Sequence, residues 1–187
     1  AFGVYGTSVV TAITAQNTQG VAGMLEIPKD LVQAQIDAVI SDIGADAVKT
    51  GMLSSVELIT LVADTIKSLN LKNVVVDPVM VAKGGDRLLR EDAIETLRTK
   101  LLPLATIITP NIPEAETLTG ITISNLEDSS NAAEMIVNMG VTSVIVKGGH
   151  LIDNEAIDIF YDGKNFREFR SPRIETKNTH GTGCTFS

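Results

Sequence analysis

Three successive apolar runs in this chain end in groups suited to phosphate and a hard cation. Val74-Val75-Val76 leads into Asp77-Pro78-Val79-Met80, and Ile107-Ile108-Thr109 into Pro110-Asn111-Ile112-Pro113-Glu114. Val144-Ile145-Val146 leads into Lys147-Gly148-Gly149-His150. Carboxylates such as Asp77 and Glu114 suit Mg2+, which takes one or two of them together with substrate phosphates. Lys147 offers a point charge for phosphate. Far along the chain, Gly181-Thr182-Gly183-Cys184 joins glycines that let backbone approach a ligand with a turn whose N–H groups can face an anion. Gln16-Asn17 and Lys49-Thr50-Gly51-Met52 follow two further strand candidates and add polar groups to the same edge. An amide such as Gln16 both donates and accepts, which fits a heteroaromatic ring carrying nitrogen and amine groups.

Each group taken alone has an ordinary reading. An Asp before Pro is often a turn residue, and Glu114 suits the first turn of a helix after Pro113. Lys147 reads equally as a surface charge, and Gly148-Gly149 as a tight turn. Met52 and Met80 read first as packing, although Met also lines ligand pockets. His150 and His180 read as loop residues rather than a metal pair. Joint placement at consecutive strand ends favours a site, because ligands of open α/β sheets bind beyond the carboxyl ends of the strands.

The elements that must position these groups alternate along the chain. Strand candidates are Ser8 to Ala15, Ala47 to Thr50, Asn73 to Val76, Thr106 to Thr109 and Ser143 to Val146. Their continuous apolar character predicts burial on both faces. Helical faces are formed by Val32, Ile36, Val39, Ile40 and Ile43, and by Val56, Ile59, Val62, Ile66 and Leu69. Ile94, Leu97 and Leu101 form a third, opened by Glu91 and Asp92, and Ser129 to Met139 a fourth, closed by Gly140. Ile157 to Tyr161, Phe166 to Phe169 and Arg173 to Glu175 predict a terminal meander turning at Asp162-Gly163. The order predicts one α/β domain with a mostly parallel sheet.

Composition narrows the function. Of 187 residues, 44% are hydrophobic and 20% charged, which reads as globular, and the net charge is -8. A pI near 4.7 argues against a nucleic-acid binder and an anionic membrane surface. Small anionic ligands remain compatible, since a few local donors suffice for them. One cysteine and two histidines exclude an internal disulfide and a zinc-ligand pattern. A reducing, cytoplasmic setting is expected.

Six segments in order, TAITAQNTQGV, KTGML, VVVDPVMVAKGGDRLL, TPNIPEAE, VKGGH and TKNTHGTGCTFS, resemble the hydroxymethylpyrimidine/phosphomethylpyrimidine kinases of the ribokinase-like superfamily. The resemblance covers nearly the whole chain. It implies a three-layer fold with a mostly parallel central sheet, helices on both faces and a short C-terminal meander. The implied activity is ATP-dependent phosphorylation of 4-amino-5-hydroxymethyl-2-methylpyrimidine and of its monophosphate, with Mg2+, in thiamin biosynthesis. By the same resemblance Gln16 hydrogen-bonds the pyrimidine, with Met52 and Val79 packed on it, and Asp77 and Glu114 hold Mg2+. Asn111, Lys147 and Gly183 contact ATP. Gly181, Thr182, Gly183 and Cys184 form the anion hole, with Cys184 beside the substrate hydroxyl. At a helix N-terminus that thiol is expected to ionise more readily than usual and to take the hydroxyl proton. A homodimer is implied, with Gly20 to Pro28 as the segment shielding the site. The family also begins earlier and continues further than residues 1–187, so the chain is expected to be an incomplete single kinase domain.

Two other readings stay open. Pyridoxal kinases belong to the same branch, and some carry a Cys on the lid after Asp-Pro-Val-Met. Here that stretch is Val81-Ala82-Lys83-Gly84-Gly85, without one. A non-catalytic pyrimidine-binding fragment is the third reading.

Overall fold

The computed structural model describes residues 3–17, 20–80, 89–149, 155–174 and 181–187. Val81 to Gly85, His150, His180 and Glu175 lie outside the described residues, as does the polar run before Gly181.

A six-stranded sheet carries the molecule. In chain order its strands are β3 (Val48–Thr50), β4 (Val74–Val76), β5 (Ile107–Ile108), β6 (Ser143–Val146), β7 (Glu155–Tyr161) and β8 (Phe166–Pro172), and their spatial order is the same. β3 to β6 run parallel, and β7 and β8 complete the sheet antiparallel. Parallel neighbours require crossovers. These are supplied by α2 (Val56–Ser68), by α3 (Glu91–Thr96) with its π and 3-10 continuation to Leu104, and by α4 (Ile112–Thr119) with α5 (Leu126–Val137). This is the expected α/β class with a mostly parallel sheet.

Because the strand order is sequential, right-handed crossovers lay these helices on one face, and burial shows which. Thr50, Val74, Val76, Ile108, Val144 and Val146 share a face by register and are all buried. Their neighbours Val75, Ile107 and Ile145 point the other way and are only half-buried. The core therefore lies between the sheet and α2 to α5, with Ile59, Leu101, Leu102, Leu118 and Ile136 at its centre. Burying each such side chain contributes about 1.5–3 kcal/mol.

Local signals explain the helix ends. Ser55 accepts from Leu58 N and caps α2, and Asn125 accepts from Asp128 N and caps α5. Gly120 ends α4 in the left-handed region at φ 78°, where a side chain costs about 1 kcal/mol or more. α1 (Lys29–Asp42) buries only Val32 fully, and Ile43, expected on its apolar face, is 52% exposed.

Two strand expectations are corrected. The run from Ser8 to Ala15 does not form a strand buried on both faces. Only β1 (Ala12–Gln16) forms, and it pairs antiparallel with β2 (Val21–Glu26) in a separate two-stranded sheet. Ile13 lies opposite Leu25 on this ladder, and both are exposed. β-branched runs favour a pleated strand whatever its partner, so composition could not place it. In the meander, the third strand expected at Arg173 to Glu175 is absent among the described residues. The single hairpin turns where Asp162 Oδ1 accepts from Lys164 N at 2.9 Å and Asn165 N at 2.7 Å.

The β1–β2 hairpin is tied to the body beside the strand ends. Thr11 Oγ1 donates to the Met52 carbonyl at 3.1 Å, and Glu26 accepts from Ser54 Oγ at 2.5 Å and Ser55 Oγ at 3.1 Å.

Candidate active site

Register brings the charged groups together. Lys49 pairs with Val75 and Asn111 with Lys147, while Val76 pairs with Ile108. Asp77 and Thr109, one step beyond that last pair, therefore share the face of Lys49, Asn111 and Lys147. This is the half-buried face of the sheet, at its carboxyl edge.

Asp77 is the centre of the cluster. It is 2% exposed, and Lys147 Nζ donates to its Oδ1 at 3.2 Å while Lys49 Nζ lies 3.8 Å from Oδ2. A buried carboxylate needs such partners, since an unpaired ion there costs several kcal/mol. Its backbone is held too: Asp77 N donates to the Thr50 carbonyl, and Val79 N turns back to the Asp77 carbonyl at 2.8 Å. The Asp-Pro-Val-Met turn is thus a built feature. Val79 sits half-buried on it and Met80 is buried.

Glu114 and Asn111 do two jobs at once. Asn111 Oδ1 accepts from Glu114 N at 2.9 Å, and Glu114 Oε2 accepts from Asn111 N at 2.8 Å, a reciprocal cap on α4. The ordinary reading of Glu114 is therefore realised. Yet burial pushes its carboxyl up to about 7, with the Asp77 charge adding to the rise and the Asn111 and Met80 N–H groups and Lys147 opposing it. A carboxyl that titrates near neutrality beside a charged cluster is equipped for more than capping.

Gly148 is required by space. A Cβ there would lie 1.7 Å from the Ile157 carbonyl oxygen. Its N–H donates to Asp158 Oδ1 at 2.9 Å, and burial raises the Asp158 carboxyl against that bond and the charge of Lys147. The strand end carrying Lys147 is thereby fixed to β7.

The C-terminal turn meets this cluster. α6 (Thr182–Phe186) opens at Gly181, whose φ is 77°. A Cβ on Gly183 would stand 3.5 Å from Lys147 Nζ, and Lys49 Nζ donates to the Cys184 carbonyl. The expected ionisation of Cys184 is overturned. As a residue it is exposed, but partial desolvation pushes the thiol up. Asp77 pushes it further, and Lys49 and Lys147 only partly offset this.

Asp77, Lys147, Glu114, Asn111 and the Gly181–Cys184 turn are therefore brought to one edge. Gln16 lies on the exposed end of β1, in the separate two-stranded sheet and at a register shift, and Met52 is half-buried with its carbonyl accepting from Thr11. Lys49 and Asp158 take part without having stood out among the sequence candidates. Lys49 belonged to a polar run already placed on this edge, whereas nothing in the sequence set Asp158 apart.

Hard oxygen donors with two neighbouring ammonium groups fit Mg2+ held jointly with phosphates. Among the described residues no three acidic, His or Cys side chains form a metal cage. Mg2+ commonly uses fewer protein ligands than that.

The family model described as phosphomethylpyrimidine kinase matches residues 1–187. The chain is 52% identical over 185 residues to the thiamine biosynthesis bifunctional protein ThiED of Geobacter sulfurreducens, covering 99% of this chain and 38% of that protein. It is 51% identical to the hydroxymethylpyrimidine/phosphomethylpyrimidine kinase of Bacillus subtilis, covering 98% of this chain and 68% of that protein. The solved structure of an ADP complex of Bacillus subtilis pyridoxal kinase superposes with a TM-score of 0.90 at 41% identity, over 98% of this chain and 70% of that one. With a family model matched from end to end and half of all residues shared with a named kinase, the chain belongs to the phosphomethylpyrimidine kinase family.

Proposed function

We propose that the protein phosphorylates 4-amino-5-hydroxymethyl-2-methylpyrimidine and its monophosphate with ATP, in thiamin biosynthesis. The observation that carries this reading is the Lys49–Asp77–Lys147 cluster at the parallel strand ends, met by the Gly181–Cys184 turn, in a chain of this family. Asp77 and Glu114 would hold Mg2+, which when bound neutralises phosphate charge and orients the transferring group. Lys147 lies where its ammonium can leave Asp77 for the anionic oxygens of ATP. Asn111 stays positioned by its cap while its amide N–H groups serve the same phosphates. The N–H groups of Gly181 to Cys184 face the charge that develops on the transferring phosphoryl group, where donors fixed in advance contribute most. Gln16, Met52 and Val79 would receive the pyrimidine. Cys184, neutral near pH 7 given its raised thiol, would line the substrate side rather than serve as a pre-formed thiolate.

The pyridoxal kinase reading draws on the 0.90 TM-score, but the stretch Val81 to Gly85 directly after the Asp-Pro-Val-Met turn carries no cysteine. We also propose a homodimer, with the exposed apolar pair Ile13 and Leu25 of the hairpin as part of the contact. No helix among the described residues is long and apolar enough to cross a membrane. The test is ADP release by the purified full-length protein with pyrimidine alcohol or pyridoxal as acceptor. Turnover confined to pyridoxal, or none with either, overturns the proposal.

A further inference from the structure

We propose that Lys49 is a positioning residue that fixes the Gly181–Cys184 turn against the Asp77 carboxylate. Lys49 lies in the middle of β3, and its side chain reaches beyond the strand end. Its ammonium donates to the Cys184 carbonyl, 135 residues away in sequence. The same nitrogen lies 3.8 Å from Asp77 Oδ2, with the Lys49 side chain 34% exposed. A solvated surface lysine would keep its ammonium in water. This one is held between two protein oxygens.

The division of labour around Asp77 supports the assignment. Lys147 occupies Oδ1 and Lys49 faces Oδ2, so each oxygen has its own cation. Lys147 also faces Gly183, the residue before Cys184. The turn is therefore approached by one ammonium at Gly183 and gripped by the other at Cys184. Within the turn, Thr185 N and Oγ1 donate to the Gly181 carbonyl at 3.0 and 2.9 Å, and Ser187 N and Oγ to the Gly183 carbonyl at 3.3 and 3.1 Å. Lys49 contributes a charge-assisted bond, roughly twice as strong as a neutral one. Lys147 is left able to turn to a phosphate while Lys49 keeps the turn and the carboxylate together.

The kinetic arm of the test rests on the kinase reading; the structural arm does not. In the full-length protein, Lys49→Met, Lys49→Gln and Lys49→Arg are compared with wild type by amide hydrogen exchange and by steady-state kinetics. Residues 181–187 are expected to exchange about tenfold faster in Lys49→Met, as a local opening would produce, with β4 to β6 unchanged. Lys49→Arg restores most of the protection, since a guanidinium also donates to both oxygens. The kcat with the pyrimidine alcohol should fall about tenfold, as a misplaced transition-state donor costs, while KM stays within about threefold. If Lys49→Met does not fold, Lys49→Gln carries the same comparison. Unchanged exchange at 181–187 overturns the proposal whatever the activity, and so does faster exchange spread evenly over the sheet. A wild-type protein with no pyrimidine-dependent turnover overturns the kinase reading alone and leaves the exchange result to decide this one.

Discussion

Lys147 reaches across β5 to place its Nζ 3.2 Å from Asp77 Oδ1, joining two strands that are not neighbours in the sheet. Both side chains are shielded, at 13% and 3% exposure, so removing one partner leaves the other as a buried charge. Lys147→Met is expected to lower stability by about 3 kcal/mol, the low end for a broken buried pair. The low end applies because Lys49 still faces the other oxygen. Urea unfolding of wild type, Lys147→Met and the double variant Asp77→Asn/Lys147→Met measures this. The double variant should be less destabilised than Lys147→Met, and the reverse order would contradict the coupling.

Gly148 and Gly149 are adjacent but not equivalent. A methyl at Gly148 meets the Ile157 carbonyl, whereas one at Gly149 meets nothing within 4 Å. Gly148→Ala must push β6 and β7 apart and is expected to cost about 3 kcal/mol or more. Gly149→Ala should stay within about 0.5 kcal/mol of wild type. Thermal melts of the two variants decide it, and equal melting temperatures would show that the hairpin yields easily.

Glu114 gives the stability a defined pH dependence. Its folded carboxyl titrates near 7 against an ordinary value of 4.5. Between those values the folded state holds the extra proton, so this group stabilises the fold at low pH. That contribution fades as pH rises from 4.5 to 7, to a total of up to about 3 kcal/mol. Glu114→Gln keeps an acceptor for the Asn111 N–H and should remove this slope. Denaturant midpoints of both proteins across that window test it. A slope retained in Glu114→Gln would assign the titration to another group.

Cys184 should behave as a protonated thiol at neutral pH. Its ordinary value of 9.0 is raised by burial and by Asp77. Alkylation of Cys184 by iodoacetamide, followed by peptide mass spectrometry, is expected to reach half its limiting rate above pH 9.0. Cys184→Ser should keep turnover within about tenfold of wild type, because the backbone donors of the turn remain. Fast labelling at pH 7 would restore the thiolate.

The parts legible in the sequence were those written locally. Runs such as Val74-Val75-Val76 and Val144-Ile145-Val146 identify buried parallel strands, and the groups following them gather at one edge because parallel register aligns strand ends. Gly140 and the Asp162-Gly163 turn punctuate the chain as such residues usually do. What could not be read depends on partners far away in the chain. Ser8 to Ala15 has strand composition, but composition does not tell a central strand from an exposed hairpin. The turn holding Cys184 predicts an acidic thiol, and only the fold reveals Asp77 beside it. Asn111 and Glu114 are three residues apart and legible as a cap; that Glu114 also faces the Asp77–Lys147 pair is a property of the sheet.

The contacts that make the site differ greatly in the loops they close. The Asn111–Glu114 cap spans 3 residues, the Lys147–Asp77 pair 70 and the Lys49–Cys184 bond 135. Longer closures lose more chain entropy and form later in folding. The cap on α4 can therefore form in microseconds, while the two lysines find their partners only after the strands between them have aligned. Refolding followed by circular dichroism should run ahead of the recovery of turnover, so that the chain acquires its shape first and its chemistry last.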